Sequence, residues 1–401
     1  MSGAQISTLR KVLSRRATTQ KIPLKSMIVL TERCHLKCQQ CYLVENPREE
    51  LSTEKIKDVI DQLAKSGALW LTFTGGEPLL RSDIIELLTY AKTKGFVITI
   101  FTSGTPCANP DRVKRLKEAG LHKASISFYA ADPKKHDTVT LLPGSHAQTV
   151  EGIKNLRAAG IQVELKYLQM SLNRDEFMAT KALAQELDAS FRYSFNVTAC
   201  HDGRRDPMEL QVKEEELVSI YHQIADRAPK DPHIGRSVNK PDVNALACSA
   251  GHSRVSIGVD GKVYGCVDLN LPVGNIKEQS LQEIWQGDKI KEIRNLKNFS
   301  HPACMVCPDQ SFCARCPGSA VLDSGDPGKP AFNTCMLARV QRRVYEERNG
   351  IRPMTTVENP MPEEQLDMIA APLSSSCGGC SSSSNAQTSP VEEVKKFLLK
   401  R

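Results

Sequence analysis

The sequence predicts an α/β protein: six β/α units first, a small cysteine-rich module second, a low-complexity tail last. Three observations carry that expectation. Short apolar runs alternate with helix-periodic segments over residues 26–228, which implies parallel strands joined by right-handed crossovers. Six units fall short of a full eight-fold barrel. Seven cysteines then lie between Cys248 and Cys335, and residues 374–384 lack apolar side chains altogether, so the tail is expected to be disordered.

Composition narrows the class. The chain is 40% hydrophobic and 25% charged, which is ordinary for a soluble domain. No apolar run is long enough for a membrane span, and no signal-peptide core precedes the first strand. The 14 cysteines are therefore read as thiols of a reducing cytoplasm rather than a secreted disulfide framework. The net charge of +7 is densest at Arg10-Lys11 and Arg15-Arg16, and residues 1–31 hold no acid. That stretch is a solvated basic leader or an organelle transit segment. No aromatic-basic interleaving or nucleic-acid motif accompanies the charge, so neither nucleic acid nor membrane is expected as a partner.

The first strand is the apolar, partly β-branched run 26–31. It leads into Cys34-His35-Leu36-Lys37-Cys38-Gln39-Gln40-Cys41-Tyr42. Three thiols at gaps of three and two cannot pair off as disulfides without one left over. They can wrap one face of an iron–sulfur cluster. A [4Fe–4S] cube wants four ligands, so a local count of three leaves one iron open. A zinc knuckle or unrelated thiols would share this spacing.

A helix follows, with Ser52 as cap, Lys55 at the third position, and Ile56, Val59, Ile60 and Leu63 at helical spacing. Strand 69–74 ends in Gly75-Gly76-Glu77-Pro78. Two glycines let a backbone approach a ligand closely, and the Glu offers an acceptor for a cation. Helix 83–94 leads to strand 97–102, which ends in Ser103-Gly104. Helix 110–119 leads to strand 123–128, where Ser125 and Ser127 share a face. They are cofactor contacts or an ordinary solvated face. Residues 132–146, broken by Pro and Gly, are expected to be a loop. Helix 146–159, strand 162–169, helix 174–187 and strand 191–198 complete the six units.

Pro229, Pro232 and Pro241 mark a linker over 229–247. Beyond Cys248, Asp260-Gly261 between alternating apolar residues is a hairpin signal, and Cys266 follows. Then come Cys304-x2-Cys307-x5-Cys313-x2-Cys316 and Cys335. CxxC pairs also suit structural zinc. Cys107 and Cys200 are expected to be small buried hydrophobes. A terminal helix spans 334–349, with Gly350 as its stop. In the tail, Cys377-Gly378-Gly379-Cys380 could ligate metal, cycle as a dithiol or be inert, and 391–399 can form a short amphipathic helix. The expected domains are a leader (1–22), a barrel (23–228), the linker (229–247), the module (248–350) and the tail (351–401).

Cys34, Cys38 and Cys41 with the aromatic Tyr42, followed by Gly75-Gly76-Glu77-Pro78, resemble the signature of the radical S-adenosylmethionine (SAM) superfamily. The later cysteines, with Gly274-Asn275-Ile276 and residues 280–285, resemble its SPASM extension. The two together span residues 26–335. The resemblance implies a partial (β/α)6, TIM-like barrel with a lateral mouth. It implies SAM and a [4Fe–4S] cluster on Cys34, Cys38 and Cys41, with SAM cleaved reductively to a 5′-deoxyadenosyl radical. Tyr42, Gly75, Gly76, Glu77, Ser103, Ser125 and Ser127 would contact SAM. Cys248, Cys266 and Cys316 would serve one auxiliary cluster, and Cys304, Cys307, Cys313 and Cys335 a second. The gap Ala314-Arg315 is one residue shorter than is common in the family, and the first auxiliary set holds only three thiolates. Asp268 is the candidate general acid or base, displaced by one position from its family place; a solvated turn Asp would read the same way. The implied substrate is a peptide or protein side chain, brought directly or by a separate carrier, with a low-potential donor such as flavodoxin or ferredoxin. A tetrapyrrole substrate, as in haem biosynthesis, is the alternative. A non-catalytic iron–sulfur or zinc scaffold is the reading from another class.

Overall fold

The computed structural model describes residues 12–13, 15–43, 48–227 and 245–351. Most of the expected linker, the basic pair Arg10-Lys11, and the tail with Cys377, Cys380 and the 391–399 helix lie outside them.

The first unit alternates as expected. Its order is β1 (Lys25–Thr31), α1 (Thr53–Lys65), β2 (Trp70–Gly75), α2 (Ile84–Thr93), β3 (Val97–Thr102), α3 (Pro110–Glu118) and β4 (Leu121–Ser127). Then come α4 (Pro133–Thr140), α5 (Ser145–Ala158), β5 (Gln162–Leu168), α6 (Phe177–Glu186) and β6 (Ser190–Ser194). The six strands are parallel and stand in the order β6-β5-β4-β3-β2-β1. With sequential order, right-handed crossovers put every helix on one face. The burial pattern agrees. Ile28, Phe73, Ile98, Ile100, Ile126 and Leu165 are at 0% exposure. Their alternates, among them Val29, Thr72, Phe101, Ser127 and Lys166, are half-buried. That second face is the inner wall of a partial barrel.

Three local differences have clear causes. Residues 132–146 are not all loop. Asp132 caps α4 by accepting from the amides of Lys134 (2.7 Å) and Lys135 (3.2 Å), and Pro133 starts the helix, a position that suits Pro. Strand 191–198 stops at Ser194, because the next amides are taken by side chains: Asn196 N donates to Ser194 Oγ (3.2 Å) and Val197 N to Gln211 Oε1 (3.0 Å). Helix 174–187 starts only at Phe177, after a 3-10 turn over Ser171–Asn173.

After α7 (Glu214–Arg227), the Asp260-Gly261 hairpin forms between β7 (Arg254–Ile257) and β8 (Lys262–Tyr264), with Gly261 at φ +86°. β7 pairs in parallel with β1, and β9 (Pro272–Asn275) follows β8, so the sheet has nine strands among the described residues. Helices α8 (Leu281–Gln286) and α9 (Asp288–Arg294) complete this unit. The chain divides into two compact units, 1–220 with 248–296, and 221–247 with 297–401. The module expected over 248–350 is thus shared between them. The second unit holds α10 (Pro302–Met305), α11 (Pro317–Ser324) and α12 (Phe332–Arg348). Cys107 and Cys200 are both fully buried.

Candidate active site

The cysteine loop leaves the end of β1, and α4 holds it. Lys37 N donates to Thr140 O (3.3 Å), Gln39 N to Val139 O (3.0 Å) and Gln39 Nε2 to Thr138 O (2.9 Å). These are the free carbonyls of a helix C-terminus, which need outside donors. On the other side Cys200 Sγ donates to Cys41 O (3.6 Å), and His201 N to Tyr42 O (3.1 Å). The Tyr42 and His201 rings stand 4.9 Å apart.

Cys34, Cys38 and Cys41 are free thiols that feel one another's charge. Burial, then the Cys41 and Cys34 charges, pushes the Cys38 thiol up to about 12. Burial also raises Cys34 and Cys41. Among the described residues no three His, Cys, Asp or Glu side chains surround a single ion. The donor set is nonetheless all sulfur and partly desolvated, which suits the iron of a cluster. Leu36 N donates to Cys34 Sγ (3.4 Å), and the Tyr129 hydroxyl lies against Cys38 and Ser127.

The glycine loop runs directly beside the cysteine loop. Gly76 N donates to Thr31 O (2.8 Å) and Glu77 N to Arg33 O (2.8 Å). A Cβ on Gly75, at φ +147°, would stand 2.1 Å from Thr31 O; one on Gly76 would stand 2.4 Å from Arg33 O. The glycines are thus required for the two loops to meet. Glu77 does not offer its carboxylate outward. It is at 0% exposure and accepts from Thr102 Oγ1 (2.9 Å), Ser103 N (2.9 Å), Ser103 Oγ (2.7 Å) and Leu79 N (3.2 Å). A buried carboxylate must be so satisfied, and here it ties the glycine loop to the end of β3. Ser103 Oγ lies 3.1 Å from Thr105 Oγ1, which lies 2.5 Å from His35 Nε2. A polar chain therefore joins both loops.

On the inner wall, Ser125 is buried and donates to Glu164 Oε1 (3.0 Å), while Glu164 Oε2 pairs with Lys123 (2.8 Å) and Arg192 (3.4 Å). Lys166 Nζ stands 4.0 Å from the Phe101 ring centroid, and burial lowers its pKa. Glu164, Lys166, Thr105 and Tyr129 were missed in the sequence reading. Charged residues two apart in the buried run 162–168 were the available signal; Tyr129 carried none.

Asp268 lies beside Cys266, whose Sγ donates to Oδ2 (3.7 Å). Its charge reaches Tyr42, His201 and Lys166. Burial, then Asp268, pushes Cys266 up to about 12. Cys248 Sγ accepts from Ala250 N (3.4 Å) and its charge reaches Cys266. A cavity of about 490 Å³ opens among Tyr42, Gly75, His201, Lys262, Tyr264 and Asn270.

In the second unit, Cys304, Cys307, Cys313 and Cys335 influence one another, and burial, then the neighbouring thiols, pushes Cys313 up to about 12 and Cys335 to about 11. Cys316 precedes α11 as its cap residue.

A model of the radical SAM superfamily matches residues 28–184, and a model of an iron–sulfur cluster-binding domain, SPASM, matches 248–317. An AdoMet-dependent heme synthase of Methanosarcina barkeri is 28% identical over 74% of this chain and 92% of its own. A PqqA peptide cyclase of Granulibacter bethesdensis is 25% identical over 88% of this chain and 100% of its own. The crystal structure of Streptococcus suis SuiB bound to precursor peptide SuiA has a TM-score of 0.60 at 16% identity, covering 84% of this chain and 82% of that one, a likeness of fold. No helix among the described residues is long and apolar enough to cross a membrane.

Proposed function

The chain is a radical SAM enzyme with a C-terminal SPASM domain, and from that premise we propose that it removes a hydrogen atom from a side chain of a peptide or protein. With its cluster bound, SAM supplies this chemistry as a 5′-deoxyadenosyl radical released by reductive cleavage. The observation that carries the reading is the cavity of about 490 Å³, which begins at Tyr42 and Gly75 and reaches the appended hairpin at Lys262 and Tyr264. Its size suits a bound side chain with part of its backbone. The similarity to a peptide cyclase over that relative's full length supports a peptide.

Cys34, Cys38 and Cys41 would hold the SAM-binding cluster. The backbone of Gly75 and Gly76, with Tyr42, Ser103, Ser125 and Ser127, would position SAM, and Glu77 keeps that loop in place. Asp268, whose charge reaches Tyr42, His201 and Lys166, would take up the substrate's proton. Cys248 and Cys266 would serve one auxiliary cluster, and Cys304, Cys307, Cys313 and Cys335 a second. The inner-wall cations Lys166 and Arg192 suit a substrate carboxylate. A flavodoxin or ferredoxin would supply the electron, a separate carrier could present the peptide, and the thiols suit a reducing cytoplasm.

A tetrapyrrole is the second reading, favoured by the heme synthase similarity. The test is to load the chain with iron and sulfide without oxygen, then offer it SAM, dithionite and either peptide pools or propionate-bearing tetrapyrroles. About twelve irons, deoxyadenosine, and hydrogen loss from a peptide by mass spectrometry are expected. Change in the tetrapyrrole alone would transfer the assignment to the second reading. No deoxyadenosine from a fully loaded chain would sink both.

A further inference from the structure

Arg315 occupies the shortened gap between Cys313 and Cys316. Its guanidinium has two ends with different surroundings. Nη2 donates to the carbonyls of Pro327 (2.5 Å) and Lys329 (3.3 Å), which fix the group in place. Nε and Nη1 are shut off from solvent and meet no oxygen or nitrogen acceptor. Buried N–H groups without partners are costly and rare, and each calls for an explanation. The Cys304 thiol lies against this guanidinium, and the charge also reaches Cys313. The neighbouring Arg342 is committed elsewhere, to Asp309 (2.5 Å) and Glu346 (3.4 Å). Arg315 therefore sets a positive charge, with two buried donors that no oxygen or nitrogen satisfies, against Cys304 and near Cys313.

Resting on the assignment of Cys304, Cys307, Cys313 and Cys335 to a cluster, we infer that Arg315 is a positioning residue for that cluster, donating Nε–H and Nη1–H to its sulfurs and raising its affinity for an electron. One-electron reduction puts negative charge on the sulfurs. Charge-assisted N–H donors stabilise the reduced state more than the oxidised one, and no bond forms or breaks. In the titration below the electron comes from dithionite. The consequence for the enzyme is a site that draws an electron and keeps it.

The experiment uses the full chain carrying Cys34→Ala/Cys38→Ala/Cys41→Ala and Cys248→Ala/Cys266→Ala, so that the remaining paramagnetic signal belongs to this cluster. Adding Cys304→Ala/Cys313→Ala should remove that signal with its iron. If no iron or signal is lost, the cluster assignment itself fails. With the cluster present, Arg315→Gln should lower the reduced-to-oxidised ratio at a fixed potential tenfold, or 59 mV for a one-electron couple. Arg315→Lys, which keeps the charge but not the fork, should fall between. A shift under threefold, or upward, in a variant that keeps its iron overturns the inference alone. Should neither variant hold iron, the unsubstituted chain labelled with 15N-arginine decides. Pulsed EPR of its reduced cluster should show nitrogen coupling, and its absence would overturn the inference.

Discussion

The Cys34–Cys38–Cys41 loop and the group of Cys304, Cys307, Cys313 and Cys335 both gather partly exposed thiols near one another, but they offset the gathered charge differently. In the loop the nearest donors are neutral: the Leu36 amide on Cys34 and the Tyr129 hydroxyl beside Cys38. The cations whose charge reaches Cys41, Lys37 and Arg204, stand at the exposed surface. In the second group Arg315 reaches in with buried N–H groups, and the Arg339 and Arg342 charges reach Cys307. Buried charges interact with less screening than exposed ones. The lesson is one of poise. As ligands of a cluster, three thiols with neutral donors would leave an iron open and a reduced state poorly stabilised, as SAM cleavage requires. Four thiols backed by guanidinium would, with a cluster bound, favour holding an electron.

The sharpest way to break this contrast is to remove each thiol set in turn. Cys34→Ala/Cys38→Ala/Cys41→Ala should bring deoxyadenosine formation to background. Cys304→Ala/Cys313→Ala should leave SAM cleavage without substrate and lose only its own iron. Equal loss of SAM cleavage in both would erase the distinction. Next in size is Gly76→Ala. Its Cβ would meet Arg33 O at 2.4 Å, so the loops must part, at about 3 kcal/mol of stability and with SAM affinity lost. Thermal unfolding and SAM titration would read both effects, and an unchanged Kd would refute the role of this contact.

Acid should loosen the loop's anchor. His136 on α4 is buried against Phe128 and Tyr129, and burial, then His146, lowers its pKa to about 3. The unfolded chain protonates near 6.5, so between 6.5 and 3 it binds more protons than the folded chain does. Stability is full above that window and falls as pH drops through 6.5, by about 2 kcal/mol on reaching pH 5. Denaturant midpoints against pH would show this slope, and His136→Gln should flatten it. The smallest effect belongs to Tyr129→Phe, which removes one neutral donor from Cys38. A potentiometric titration should show the first cluster less readily reduced, by about 1 kcal/mol or less. A shift as large as that of Arg315→Gln would contradict the neutral-versus-charged contrast.

Much of this was legible from residue order. The gaps among Cys34, Cys38 and Cys41, the Gly75-Gly76 pair and the six alternations are local patterns, and the six strands formed in the order their periodicity placed them. Ser52 caps α1 by accepting from Lys55 N (3.2 Å), as its position suggested. What stayed hidden was non-local. Helix α4 has the local marks of a start, Asp132 and Pro133, but its polar surface masks the three buried residues, His136, Val139 and Thr140, that hold it. Glu77 reads as a ligand because its sequence neighbours are glycines; only the approach of Thr102 and Ser103 shows it facing inward.

The sequence by itself determined the donor atoms and their spacing, since chemistry and periodicity reside in consecutive residues. The tertiary structure alone decided that β7 extends the barrel sheet along β1, that α4 grips the cysteine loop, and that Asp268 acts toward Tyr42, His201 and Lys166. Those placements depend on which surfaces bury one another, and residues so far apart in the chain carry no local mark of their partners.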